Sequence, residues 1–217
     1  MTQITLVRHG QANTDARDEV SYDRLSPLGH EQARWLGDHM RDTCEHFSRV
    51  YCGTLTRHQE TAQSMGYGDG ILQDPRLNEM EYFSLAQAVE AQYGTPIPTD
   101  REGFIDHLPY VFDLWQRDQI ETPYESWRDF ESRISAALLD IAAGDGPALV
   151  VTSGGLISIA MRQALGLDTP ATARMALAIM NTSVHVLHNI GGQSTPVLFN
   201  AVPHLAMPDR HFARTYL

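Results

Sequence analysis

The stretch that most constrains this chain is the unbroken apolar run Ala148 to Val151, which passes through Thr152-Ser153-Gly154-Gly155 into a second apolar segment ending at Leu165. It reads as a buried strand, a tight small-residue turn and a helix, the repeating unit of an α/β protein. The amino end has the same grammar. Ile4-Thr5-Leu6-Val7 is a short buried strand that stops at Arg8-His9-Gly10, where the glycine suits a close turn. In open α/β sheets ligands bind off the carboxyl ends of strands, so these two turns are where chemistry is expected.

Strands and helices alternate between them. Ser26 and Pro27 are a good N-cap and first helical residue, and Leu28, Gln32, Ala33, Leu36 and Met40 continue at helical spacing. A short strand at Val50-Tyr51-Cys52 precedes a helix through Arg57, Thr61 and Met65 that Thr54 or Thr56 would cap. Residues from about 83 to 124 mix helix-like pieces, such as Phe104 to Trp115, with Gly94, Pro96 and Pro98, which suits a helical lid inserted over a site. Trp127, Phe130, Ile134, Leu138 and Ile141 mark a long amphipathic helix, and Ser183–Leu187 with Pro196–Phe199 around Gly191-Gly192 reads as a β-hairpin. With 217 residues and no internal repeat, one domain spanning 1–217 is expected.

Charge narrows the partners. Sixteen basic against twenty-seven acidic side chains give −11, which argues against a nucleic-acid backbone or an anionic membrane surface. No run approaches a membrane span and no secretory leader is visible, so the expected location is cytoplasmic. Cys44 and Cys52 suggest neither a disulfide framework nor a metal site, and no metal or other cofactor is called for. Oligomeric state is left open, with a homodimer the assembly considered.

The triplet Arg8-His9-Gly10 places an imidazole beside a permanent cation. Arginine pairs with phosphate oxygens in a bidentate way and imidazole supplies a nucleophile, a combination suited to phosphoryl transfer. Arg57 would lie in the first turn of its helix, where the dipole prefers anions, so an anion is expected to join it there. The glycine turn at 153–155 exposes amides that could cradle another.

Several motifs in order carry a resemblance. Leu6-Val7-Arg8-His9-Gly10-Gln11, Tyr22-Asp23-Arg24-Leu25-Ser26-Pro27-Leu28-Gly29 with Gln32-Ala33, and Gly53-Thr54-Leu55-Thr56-Arg57 with Thr61-Ala62 form the first half. Arg76-Leu77-Asn78-Glu79, Glu125-Ser126 to Arg133, Asn181-Thr182-Ser183 and His204-Leu205 form the second. Together they resemble the histidine phosphatase superfamily, which includes the cofactor-dependent phosphoglycerate mutases. The resemblance implies a three-layer α/β/α sandwich with a mostly parallel sheet. It also implies roles: His9 as nucleophile forming a phosphohistidine, Arg8 and Arg57 as clamps on the phosphoryl oxygens, and Glu79 as acid and then base, with Glu81 its rival. Gln11 and the Ser153-Gly154 turn complete the expected binding set for a small phosphorylated molecule or inorganic phosphate.

One position departs from that pattern. Where the family carries a second histidine after the strand ending at Val151, this chain has Ser153, which offers a neutral donor in place of a cationic one. Loss of one such donor costs about 10²–10³ in rate in comparable sites. His185 and His204 are candidates to compensate, while His58, with His30, His39, His46 and His107, is expected on helix surfaces. The family often has asparagine five residues past Gly10, where Asp15 stands. The expected activity is therefore a slow phosphomonoester phosphatase. A phosphate-ester binding protein is the alternative, and a phosphoglycerate mutase is the third reading, disfavoured by Glu79-Met80-Glu81-Tyr82-Phe83.

Overall fold

The computed structural model describes residues 3–14, 16, 18–121 and 125–216. Six strands form one sheet: β1 (Gln3–Arg8), β2 (Arg49–Cys52), β3 (Leu72–Gln73), β4 (Ala148–Thr152), β5 (Val184–Ile190) and β6 (Gln193–Ala201), in the order β3-β2-β4-β1-β5-β6. β3, β2, β4 and β1 run parallel, and β5 and β6 return antiparallel, so the sheet is mixed, with a parallel half that carries the two glycine turns. Eight helices accompany it: α1 (Glu19–Tyr22), α2 (Pro27–Asp42), α3 (Thr56–Ser64), α4 (Tyr82–Tyr93), α5 (Arg101–Gln116), α6 (Trp127–Ala143), α7 (Gly154–Leu165) and α8 (Thr169–Ala178).

The apolar runs form the middle of the sheet because each face of it is covered. Val7, Leu149 and Val151 pack with Ala33, Leu36 and Met40 of α2 and Ala62 of α3. Their neighbours in sequence, Leu6, Ala148 and Val150, point the other way into a larger core with Phe112, Phe130, Ile134 and Ile157. This alternation makes the three layers. Burial of these side chains, each worth roughly 1.5–3 kcal/mol, holds β1 and β4 side by side with Arg8 opposite Thr152.

Ser26 caps α2 by accepting from the Gly29 amide at 3.0 Å, and Pro27 opens the helix, as the sequence suggests. The cap of α3 differs. Leu55 holds the cap position, and neither Thr54 nor Thr56 supplies the side-chain bond. Instead the Asp23 carboxylate, brought from the α1–α2 connection, accepts from the amides of Thr56 at 2.9 Å and Arg57 at 3.2 Å. A full negative charge there suits the helix dipole better than a hydroxyl.

The segment expected as a lid holds α4 and α5, and its apolar residues Leu85, Val89, Val111 and Phe112 belong to the larger core. At the start of the segment the Phe83 ring lies 6.0 Å from that of Tyr22. Tyr124 and residues 122–123, at the expected end of the lid, lie outside the described residues, as does Asp15. Among the described residues, no helix is long and apolar enough to cross a membrane.

Candidate active site

β1 ends in Arg8, and the next residue, His9, is held from both sides through its backbone. Its amide donates to Thr152 O at 2.8 Å, and its carbonyl accepts from Asn181 Nδ2 at 3.2 Å and the Thr182 amide at 3.3 Å. Thr182 makes that last bond from the left-handed region, with φ 56°. A β-branched residue is strained there, and such strain gathers at sites that need a fixed geometry. Gly10 has no positive φ. Its glycine is required by close approach, since a Cβ would strike the Gly29 carbonyl.

The ring of His9 is poised as a neutral base. Its Nδ1–H donates to Gly10 O at 2.7 Å, which fixes the tautomer and leaves the Nε2 lone pair free. Burial, and then the charges of Arg57 and Arg8, hold its pKa well below the usual histidine value.

The two arginines arrive from different elements. Arg8 is 8% exposed, one Nη1–H donates to Ile179 O, and its Nε has no partner. No carboxylate among the described residues lies within ion-pair distance of it. Arg57, on the first turn of α3, pairs with Asp23 at 3.1 Å, and its buried Nε is likewise unpartnered. Asp23 thus supplies part of the anion the helix position calls for. Tyr22 stacks over the Arg57 guanidinium at 5.0 Å and meets the His9 ring edge-on at 6.3 Å.

Glu79 lies on the loop between β3 and α4, half-buried. Its Oε2 accepts from the Gly155 amide at 2.8 Å and its Oε1 from the Met80 amide at 3.1 Å. The amides expected to cradle a substrate anion at this turn are therefore partly engaged by a carboxylate of the chain itself. Arg133 of α6 braces the same loop, donating to the carbonyls of Arg76 at 2.7 Å and Asn78 at 2.8 Å while pairing with Glu125 at 2.6 Å. Glu81, the rival carboxylate, bonds to Ser84 Oγ at the start of α4.

The other expected site residues divide. Gly154 lies near the Arg8 side chain, which a Cβ at that position would meet at 3.5 Å. Gln11 is turned toward the α2 cap, its Oε1 accepting from Ser26 Oγ at 2.8 Å. His185 and His204 do not reach the nucleophile: His185 is bonded to Ser183 Oγ and the Asn200 amide, and His204 to Thr182 Oγ1. Two histidines expected on helix surfaces are buried. His107 bonds to Tyr82 OH at 2.9 Å, and His58 is fully enclosed with its ring 5.8 Å from that of His9. On α3 the buried residues are Arg57, His58, Thr61 and Ala62, a helical stripe facing the sheet. Asp23, Tyr22 and Glu19 were also not singled out as site residues by the sequence reading.

Beside Arg57 and Glu79 opens a cleft of about 560 Å³ whose walls carry Glu19, Asp23, Glu60, Glu79 and Glu81, against the cations Arg24 and Arg57. Burial pushes the Glu19 carboxyl up to about 7, although its bond from the Phe83 amide and the charge of Arg57 pull the other way. His9 does not line the cleft and is 2% exposed, its ring 6.3 Å from that of Tyr22.

The architecture is that of the phosphoglycerate mutase-like α/β proteins. A phosphoglycerate mutase from Bacillus anthracis superposes with a TM-score of 0.70 at 23% identity, covering 94% of each chain. A phosphoserine phosphatase from Entamoeba histolytica, solved with 3-phosphoglyceric acid, gives 0.70 at 19% identity over 94% of this chain and 100% of the other. In sequence, the probable phosphoglycerate mutase GpmB of Enterobacter sp. strain 638 is 28% identical over 199 residues, covering 85% of this chain and 83% of its own. A model of the histidine phosphatase superfamily, branch 1, matches residues 4–202, and the chain belongs to that family of histidine-type phosphatases.

Proposed function

We propose that the protein hydrolyses a small phosphomonoester through a phosphohistidine on His9. The observation that carries this is a buried, neutral imidazole beside two arginines whose Nε–H groups have no partner among the described residues, one of them on a guanidinium with no counterion among them. An unpaired buried cation is costly, and a phosphoryl dianion is the ligand whose charge and oxygens complete both. His9 Nε2 attacks phosphorus in line while the bond to the leaving oxygen breaks, Glu79 giving that oxygen its proton. Water then attacks the phosphohistidine, losing a proton to Glu79, and phosphate leaves with His9 neutral again.

The cleft bears on what is attached to the phosphate. Carboxylates outnumber cations on its walls, so a second anionic group on the substrate meets repulsion that a neutral or cationic one escapes. This favours phosphatase chemistry on an uncharged or amine-bearing ester over isomerisation of a carboxylated phosphoglycerate. A binding-only protein is the alternative, favoured by Ser153 alone.

The test is turnover of an aryl phosphate by wild type and His9→Ala, with acid-labile labelling of the enzyme. A loss of about 10⁴-fold or more in His9→Ala, with label on wild type only, is expected. Equal turnover would remove the nucleophile assignment, and phosphate binding without turnover would favour the binding protein.

A further inference from the structure

His58 and Ser153 stand together at the corner of the phosphoryl pocket. His58 Nε2 lies 2.6 Å from Ser153 Oγ, and both side chains are fully buried. Ser153 holds the N-cap position of α7 yet makes no capping bond, although serine is among the best capping residues. Its hydroxyl faces the imidazole instead. Because Arg8 pairs with Thr152 in the parallel ladder, the following residues, His9 and Ser153, lie side by side, and a Cβ added to Gly154 would meet the Arg8 side chain at 3.5 Å. The His58 ring is tilted 36° to that of His9. The pair thus sits beside the nucleophile.

The proton on this pair has a preferred place. His58 Nδ1 is buried without a partner against Gly53, where a Cβ would overlap the ring. A stranded N–H is rarer and costlier in a protein interior than an unfilled lone pair. The favoured tautomer therefore carries its proton on Nε2 and donates it to Ser153 Oγ. With its oxygen engaged as an acceptor, Ser153 is left with its own proton to donate, and Arg8 and His9 are the neighbours on that side.

We propose that Ser153 is a donor to the phosphoryl oxygens during transfer to His9, and that His58 is the positioning residue that turns its hydroxyl proton toward them. The proposal rests on the phosphohistidine reading and adds a neutral donor to the two arginines. Burial and the charge of Arg57 keep the His58 imidazole neutral, so it orients the serine without competing for the phosphate as a cation. The imidazole absent at position 153 is thus supplied from α3, one residue beyond Arg57, through a serine.

Ser153→Ala, His58→Gln and the double variant separate this from a structural role. Steady-state kinetics with an aryl phosphate are expected to show kcat lower by about 10² in each single variant, with KM changed less than about threefold. Because the two residues act as one unit, the double variant should be no slower than Ser153→Ala by more than about threefold. A Ser153→Ala enzyme within about threefold of wild type, losses that multiply in the double variant, or a change confined to KM would overturn the proposal. Where wild type does not turn over, affinity for orthovanadate takes the place of kcat, with the same expected and refuting ratios. His9→Ala runs beside them: undiminished turnover there removes the phosphohistidine reading itself, a failure distinct from that of the pair.

Discussion

Asp23→Asn separates the two anions that Arg57 is built to meet. In the resting protein the Asp23 carboxylate caps α3 through two amides and pairs with the Arg57 guanidinium at 3.1 Å. Asparagine is also a good capping residue, so the capping loss is a few tenths of a kcal/mol. The lost ion pair matters more. Two charges about 4 Å apart at an effective dielectric of about 20 interact by about 4 kcal/mol. The Arg57 side chain is 3% exposed but that of Asp23 is 22% exposed, and this access of solvent to one partner reduces the figure to about 2 kcal/mol. For a chain of 217 residues, that lowers Tm by about 4–8 °C in phosphate-free buffer. Phosphate should then narrow the difference. With the carboxylate gone, bound phosphate is the remaining counterion for Arg57 and no longer meets a like charge beside it, so it binds the variant more tightly. Ligand at about 100 times its Kd adds about 2.7 kcal/mol, and the variant reaches that point at lower phosphate. Thermal melts of both proteins across a phosphate titration should therefore converge as phosphate rises. Equal Tm without phosphate would refute the strength given to the ion pair, and a phosphate-dependent rise no larger in Asp23→Asn than in wild type would refute the assignment of Arg57 as a phosphate ligand.

Further outcomes follow from the same side chains. Burial holds His185 and His204 to pKa values of about 3, and His9 and His58 are shifted in the same direction. Such groups are protonated first in the unfolded chain, so stability is lost as pH falls below about 6.5, by about 2 kcal/mol for each of His185 and His204 at pH 5. Urea midpoints that match at pH 7 and pH 5 would contradict this. Glu19, with its carboxyl at about 7, is neutral below that value and adds negative charge to the cleft above it. We therefore predict that kcat/KM for an aryl phosphate declines as pH rises through 7 and that Glu19→Gln flattens the decline; coincident profiles would exclude Glu19. Finally, the acidic walls predict that the phosphomonoester of an amino alcohol is hydrolysed with kcat/KM about 10-fold or more above that of a hydroxy acid of equal length. The opposite order in a competition assay would count against the proposed substrate class.

Much of the architecture was legible because hydrophobic burial writes itself locally. Ala148 to Val151 is apolar on successive residues and Ile4 to Val7 on all but Thr5, and the sheet shares their apolar side chains between two cores. Arg8, His9, Arg57 and Glu79 were legible for a different reason: each stands within a short motif at a strand end or on the loop or helix that follows. What could not be read is the pairing between motifs. The cap of α3 comes from Asp23, far enough back in the chain that Thr54 and Thr56 were the natural candidates. Likewise, the small-residue turn at 153–155 signals open amides, and only the tertiary fold brings Glu79 to the Gly155 amide.

The histidine at 58 shows how a partial signal was available. Arg57 and Thr61 stand one helical turn apart, and so do His58 and Ala62, which makes 57, 58, 61 and 62 a single buried stripe. Once Arg57 is placed in a site and Ala62 in the core, His58 can no longer be on the surface, because it lies between them on the helix. A buried histidine needs a partner, and the chain has an unexplained serine at the other strand end. Each anomaly alone has a bland reading, a surface histidine or a capping serine. Taken together they describe one hydrogen bond, with the imidazole on α3 and its acceptor at the start of α7. A departure from a family pattern at one position is therefore best weighed against unexplained polar residues elsewhere, since a pocket is completed by groups in space whatever element of the chain delivers them.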